Sequence, residues 1–155
     1  MDSFRALLAR QDGDEITAAI ETLDPTDLPP GDVTIRVAYS SVNYKDALAL
    51  TPRGGVVRNY PLVPGIDLTG EVVESNNENF PVGAMVNGLT GWQDYMVISD
   101  SNPLMLVPPE VTAPPSAILG TLGMTGLTAY FGMLEIGEPK EGETVEKQIV
   151  RFRTV

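Results

Sequence analysis

The chain of 155 residues contains no cysteine and no histidine. The first absence rules out disulfides and thiolate-bound zinc. The second removes the commonest metal ligand and the side chain that titrates nearest neutrality. A metal would have to be held by carboxylates alone, a chemistry suited to magnesium or calcium. No acidic cluster has that spacing, so no metal ligand is expected. Positive charge is also scarce: 10 Lys and Arg stand against 21 Asp and Glu, for a net charge of -11. Phosphate backbones and anionic lipid surfaces are repelled by such a chain, so neither nucleic acid nor a membrane is an expected partner. No apolar run reaches the ~18 residues of a membrane span. The opening Met1-Asp2-Ser3-Phe4-Arg5 lacks the basic and apolar regions of a signal peptide, and the expected compartment is the cytoplasm.

With 43% hydrophobic and 20% charged residues, the composition is that of a globular protein with one core. Thirteen Pro and 15 Gly interrupt the sequence every few residues, which favours short strands over long helices. "FRALLA", "EITAAIE" and "DVTIRVAYS" read as the first three strands. In the third, Val33, Ile35, Val37 and Tyr39 alternate with polar or small residues, the period of a half-buried strand. "GIDLTGEVVES", "AMVNGL", "QDYMVI" and "LMLV" read as further strands, a spacing that suits a barrel or a sandwich. One helix stands out in "MTGLTAYFGMLEIGEPK", where Leu127, Tyr130, Phe131 and Leu134 share a face. Thr125 is its expected N-cap and Gly137 its stop. A shorter helical turn is expected at Ser116–Leu119, and "VEKQIVRF" reads as a final strand.

The stretch "YSSVNYKDALAL" sets an amide, a phenol, an amine and a carboxylate side by side at Asn43, Tyr44, Lys45 and Asp46, between a strand and an apolar helix-like segment. A solvated strand end with an Asp cap accounts for this pattern; so does one wall of a catalytic cleft. Thr125 and Thr128 are explained by capping and packing alone, and Trp92 and Tyr95 by core or rim packing.

Together, "SSVNYKDALAL", "YPLVPGIDLTGEVVES", "GWQDYMVISD" and "LGTLGMTGLTAYFGMLEIGEPKEGETV" resemble the zinc-independent medium-chain dehydrogenase/reductase superfamily. Residues 4 to about 75 are most similar to its quinone oxidoreductase and acrylyl-CoA reductase branch. From about Asn79 the chain is more similar to the prostaglandin, alkenal and curcumin reductases, a mixture that suits an unusual natural member or, preferably, a chain assembled by recombination or design. The resemblance implies a mainly β fold: a GroES-like, partly open barrel with one or two short helices and a closing C-terminal strand. The zinc-dependent relatives carry Cys where this chain has Asn43 and Gly-His-Glu where it has Gly65-Ile66-Asp67, so the resemblance implies no zinc. Asp67 then reads as a remnant of that motif, bonded to neighbouring backbone.

The implied chemistry is reduction of an activated C=C bond (an enone, acrylyl-CoA) or a quinone by NADPH. Asn43 and Tyr44 would line the cleft, Lys45 and Asp46 would fix that wall by an ion pair or backbone bonds, and Asn43, Thr125 and Thr128 would meet the cofactor. Arg53 and Arg58 are candidates for an acyl-CoA phosphate, with surface decoration as the alternative.

No "GxGxxG" occurs, and "GTLGMTG" leads into a helix without a preceding buried strand. In the family, "EGETV" enters the nucleotide-binding domain and a strand like "KQIVRF" returns from it. Their adjacency implies residues 1–155 as a single GroES-like catalytic domain, without a Rossmann domain, the latter excised near 145/146. NADPH is then not expected to bind tightly, and little or no activity is expected of this chain alone. Excision would bare an apolar face on the 126–136 helix and favour a homodimer. The alternative reading is a non-catalytic folding or assembly module, or an engineered chimeric scaffold that self-associates.

Overall fold

A computed structural model describes residues 2–52, 54–89, 91–99 and 103–143. Among these residues, seven antiparallel strands form two sheets that do not close on each other. The first sheet is a hairpin of β1 (Phe4–Asp12) and β2 (Glu15–Leu23), turning at Gly13 with φ +58°. Asp12-Gly13 supplies the left-handed residue that a tight hairpin turn needs. The second sheet has the order β6-β3-β4-β5-β7, from β3 (Val33–Tyr39), β4 (Leu68–Ser75), β5 (Met85–Gly88), β6 (Tyr95–Ile98) and β7 (Leu104–Leu106). Helices α1 (Tyr44–Ala49), α2 (Pro115–Leu119) and α3 (Met124–Phe131) are short. The architecture is the partly open, mainly β barrel that the resemblance implies. No described helix is long and apolar enough to cross a membrane.

The core belongs to the five-stranded sheet: Val33, Ile35, Leu68, Val72, Val86 and Ile98 are buried together. The alternation expected in β3 holds at Val33 and Ile35 and fails at Tyr39, which is half exposed. Pairing passes from Val37↔Gly70 directly to Tyr39↔Thr69, so Ala38 is an extra residue. Such a bulge turns the strand and takes its last side chain off the core.

The hairpin is tied to the larger sheet by backbone bonds and one ion pair. Leu7 N–H donates to the Trp92 carbonyl, and Ala9 and Leu62 exchange two bonds. Arg5 donates from its backbone N–H (2.9 Å) and from its guanidinium (3.0 and 3.2 Å) to Asp94.

Two helix boundaries differ from expectation. Gly123, not Thr125, is the N-cap of α3. Beyond α3 the helix widens into a π turn, Gly132–Gly137, and the left-handed stop is Glu138 (φ +40°), one residue past Gly137. The closing strand expected in "KQIVRF", the 145/146 junction and Arg53 lie outside the described residues.

The Arg5 guanidinium, bonded to Asp94, holds that carboxyl below its ordinary value of 3.8. A lowered folded pKa contributes stability that is present above the ordinary value and is lost as pH falls through the lowered one. Both partners are largely exposed, so the contribution is small. Urea midpoints followed from pH ~5 to pH ~2 should therefore fall slightly more for the parent chain than for Asp94→Asn. Parallel profiles would show that the clamp adds nothing.

Candidate functional site

Ser41 is the centre of the site. It follows β3, where the chain turns towards α1, and each of its polar groups is engaged. Its N–H donates to Asp67 Oδ1 at 2.9 Å, and its hydroxyl lies 2.7 Å from both Asp67 oxygens. Its Oγ accepts from Asn43 Nδ2 at 2.7 Å, and its carbonyl accepts from Trp92 Nε1 at 2.9 Å. Asp67 is 4% exposed and joins no ion pair among the described residues. A single serine thus satisfies the buried Asp67 carboxyl group, which would be costly to bury without hydrogen-bond partners.

Gly65 delivers Asp67 to that position. Its φ of +114° is closed to L side chains, and a Cβ there would stand 2.8 Å from the Gly91 Cα. Loop 64–67 therefore packs against the backbone that carries Trp92, whose own N–H donates to the Pro64 carbonyl.

The four polar residues of "NYKD" divide into two pairs. Asn43 is extended and caps α1; Asp46, three residues on, reaches back to accept the Asn43 N–H at 2.6 Å. Asp46 is 1% exposed, and its other oxygen, like Ser40 Oγ, is buried without a partner. Tyr44 is 79% exposed, and Lys45 is exposed and pairs with no carboxylate among the described residues. Of the two means expected for fixing this wall, the structure uses the backbone bond at Asp46 and not an ion pair at Lys45.

Thr125 and Thr128 are exposed on α3. Thr125 makes no capping bond, and the Thr128 hydroxyl donates to the Met124 carbonyl at 2.7 Å. The even glycine spacing serves close packing. A Cβ on Gly123 would strike the Leu119 carbonyl and one on Gly126 the Thr121 carbonyl, so the turn that joins α2 to α3 is wound at backbone distance. A cavity of about 220 Å³ lies between this junction and the sheet, with Asp67 and Asn87 on one side and Gly123 and Met124 on the other.

Trp92 and Tyr95 have structural contacts: Trp92 through Ser41, and Tyr95 edge-on to Phe4 at 6.3 Å. Arg58 is exposed. No group of three or more His, Cys, Asp or Glu stands close enough to hold a metal among the described residues. Ser41 and the cavity were not read from the sequence. "Ser-Ser" before an N-cap carries no signal of its own, and the cavity forms from segments distant in sequence.

Replacing Asp67 by Ala leaves the Ser41 N–H and hydroxyl without their acceptor and should cost about 2–4 kcal/mol in chemical denaturation. A loss below ~0.5 kcal/mol would show that Ser41 does not depend on Asp67.

Residues 11–107 match the family described as the N-terminal domain of oxidoreductase. The probable acrylyl-CoA reductase of Escherichia coli strain K12 is 38% identical over 154 residues, covering 92% of this chain and 47% of the relative. Prostaglandin reductase 1 of Rattus norvegicus is 41% identical over 132 residues, covering 79% of this chain and 37% of the relative. The crystal structure of E. coli K-12 YHDH with bound NADPH superposes with a TM-score of 0.69 at 34% identity, over 86% of this chain and 43% of that one. The chain spans less than half the length of these relatives.

Proposed function

Because the chain belongs to the oxidoreductase N-terminal-domain family of the medium-chain dehydrogenase/reductases, we propose that it forms the substrate-side part of a zinc-independent, NADPH-dependent reductase. Its substrate is an activated C=C bond or a quinone, and the chain by itself has little or no activity. The carrying observation is the Asn43–Ser41–Asp67 chain. Asn43 and Asp67, at the positions where the resemblance puts the thiolate and the Glu of Gly-His-Glu in zinc-dependent relatives, are here each bonded to Ser41 at 2.7 Å.

In this reading Ser41 takes one hydrogen of the Asn43 amide, and the second is the donor offered to a substrate carbonyl oxygen. A donor fixed before the reaction stabilises negative charge developing on that oxygen. Tyr44, exposed beside it, closes the same side of the cleft, and Asp46 holds the backbone of Asn43 in place. Thr125 and Thr128, exposed on α3, would meet the cofactor, and the cytoplasm is the compartment.

NADPH, when bound, would supply the hydride. No described strand-to-helix turn carries a Gly-rich loop that could cradle its phosphates, and the glycines at 123 and 126 are taken up by close backbone contacts with the end of α2 and the turn that follows it. We therefore derive no step through the cofactor for this chain alone.

Titration calorimetry with NADPH should give no saturation below roughly millimolar concentration. Adding a relative's dinucleotide-binding half as a second chain should produce enone-dependent NADPH oxidation that falls about tenfold or more in Asn43→Ala. Micromolar binding by the chain alone would overturn the inactive-half reading. Unaltered turnover in Asn43→Ala would overturn the role given to the amide.

A second reading, a self-associating module, rests on a different observation. Leu127, Tyr130, Phe131, Leu134 and Ile136 are 48–79% exposed on α3 and the π turn that continues it. Light scattering over a range of concentrations should then show a dimer that Phe131→Glu dissociates. A strictly monomeric chain would remove this reading.

A further inference from the structure

The cavity beside Asp67 has a lining chemistry that narrows what enters it. Leu68 and Leu119 form aliphatic wall, while the thioethers of Met105 and Met124, 65% and 41% exposed, border it towards solvent. Methionine at such a border adapts to different apolar shapes. Of its two polar members, Asp67 is committed to Ser41, while Asn87 donates through Nδ2 to the Ile118 carbonyl at 3.4 Å and keeps one buried, unpartnered acceptor, Oδ1. Neither Lys nor Arg lines it, so no anion that entered would find a counter-charge. The volume of about 220 Å³ exceeds the ~150 Å³ of a cavity that holds benzene, which suits roughly ten non-hydrogen atoms.

We propose that this cavity seats an uncharged, largely apolar molecule of about ten non-hydrogen atoms. On the reading of the preceding subsection, it takes the hydrocarbon part of an alkyl- or aryl-substituted enone or quinone. The carboxylate or phosphate portion of any conjugate stays outside. A bare three-carbon acrylyl group would leave most of the cavity unfilled.

The experiment uses the full chain labelled at methionine methyl groups and three probes of one size: benzalacetone, an enone; benzylacetone, its saturated ketone; and hydrocinnamate, an anion. Both ketones are expected to shift the Met105 and Met124 methyl resonances in a saturable way, and hydrocinnamate is not. Met124→Glu, at an exposed position, and Leu119→Trp, which fills the cavity, should each weaken ketone binding about tenfold or more. Ketones that bind without moving either methyl overturn the proposal. So does binding that both variants leave unchanged, or an anion that binds as tightly as the ketones.

The cavity and the reductase reading fail in different ways. If both ketones bind here but the chain with a dinucleotide-binding half does not reduce benzalacetone, the cavity stands and the reductase reading falls. If benzalacetone is reduced and Met124→Glu leaves its KM unchanged, the reading stands and the cavity proposal falls.

Discussion

A buried carboxylate held by a serine organises this structure. Asp67 accepts the N–H and the hydroxyl of Ser41, and that serine in turn receives Asn43 and Trp92. Four segments meet there: the end of β3, the start of α1, the loop before β4 and the strip before β6. Removing a charge from water is costly, and the cost is recovered only when the bonds to it are fixed in place. The surrounding backbone is fixed accordingly. Gly65 adopts a conformation that only glycine enters easily, and Trp92 bonds the 64–67 loop, the hairpin and Ser41 at once.

The same constraint explains how two residues of "NYKD" face inward and two face solvent. A six-residue helix cannot stabilise itself through propensity. α1 is held at its first turn by the Asp46 carboxylate on the Asn43 N–H, and Asn43 is held by Ser41. Tyr44 and Lys45 fall on the opposite side of that turn and keep the freedom to meet a ligand. The segment is thus fixed in its backbone and in one amide, while a phenol and an amine stay in solvent.

Much of the fold was legible because strand signals are local. All seven strands lie where alternation and Gly/Pro punctuation put them, although β1 and β2 run further than "FRALLA" and "EITAAIE" towards their Asp-Gly turn. What was not legible depends on contacts between distant segments. The bulge at Ala38 that exposes Tyr39 is set by the partner strand, not by β3's own sequence. The N-cap of α3 falls on Gly123, where the Leu119 carbonyl leaves no room for a side chain, a close approach that the capping preference of Thr125 does not reveal. Asn43 and Asp46 were picked out by their chemistry. Ser41 was passed over because nothing in "SSVN" says that a carboxylate 26 residues away will close on it.

The helical stripe on α3 carries a separate lesson. Leu127, Tyr130, Phe131 and Leu134 have the spacing of a core-facing helix, and among the described residues no side of the barrel covers them. A periodic apolar face records that selection kept water away from it; it does not record what did so. In most single domains the covering surface is the chain's own core, which makes the inference from period to burial safe. Here the relatives run to more than twice the matched length, so that inference is not safe for α3, and the period of its apolar face is no measure of its burial.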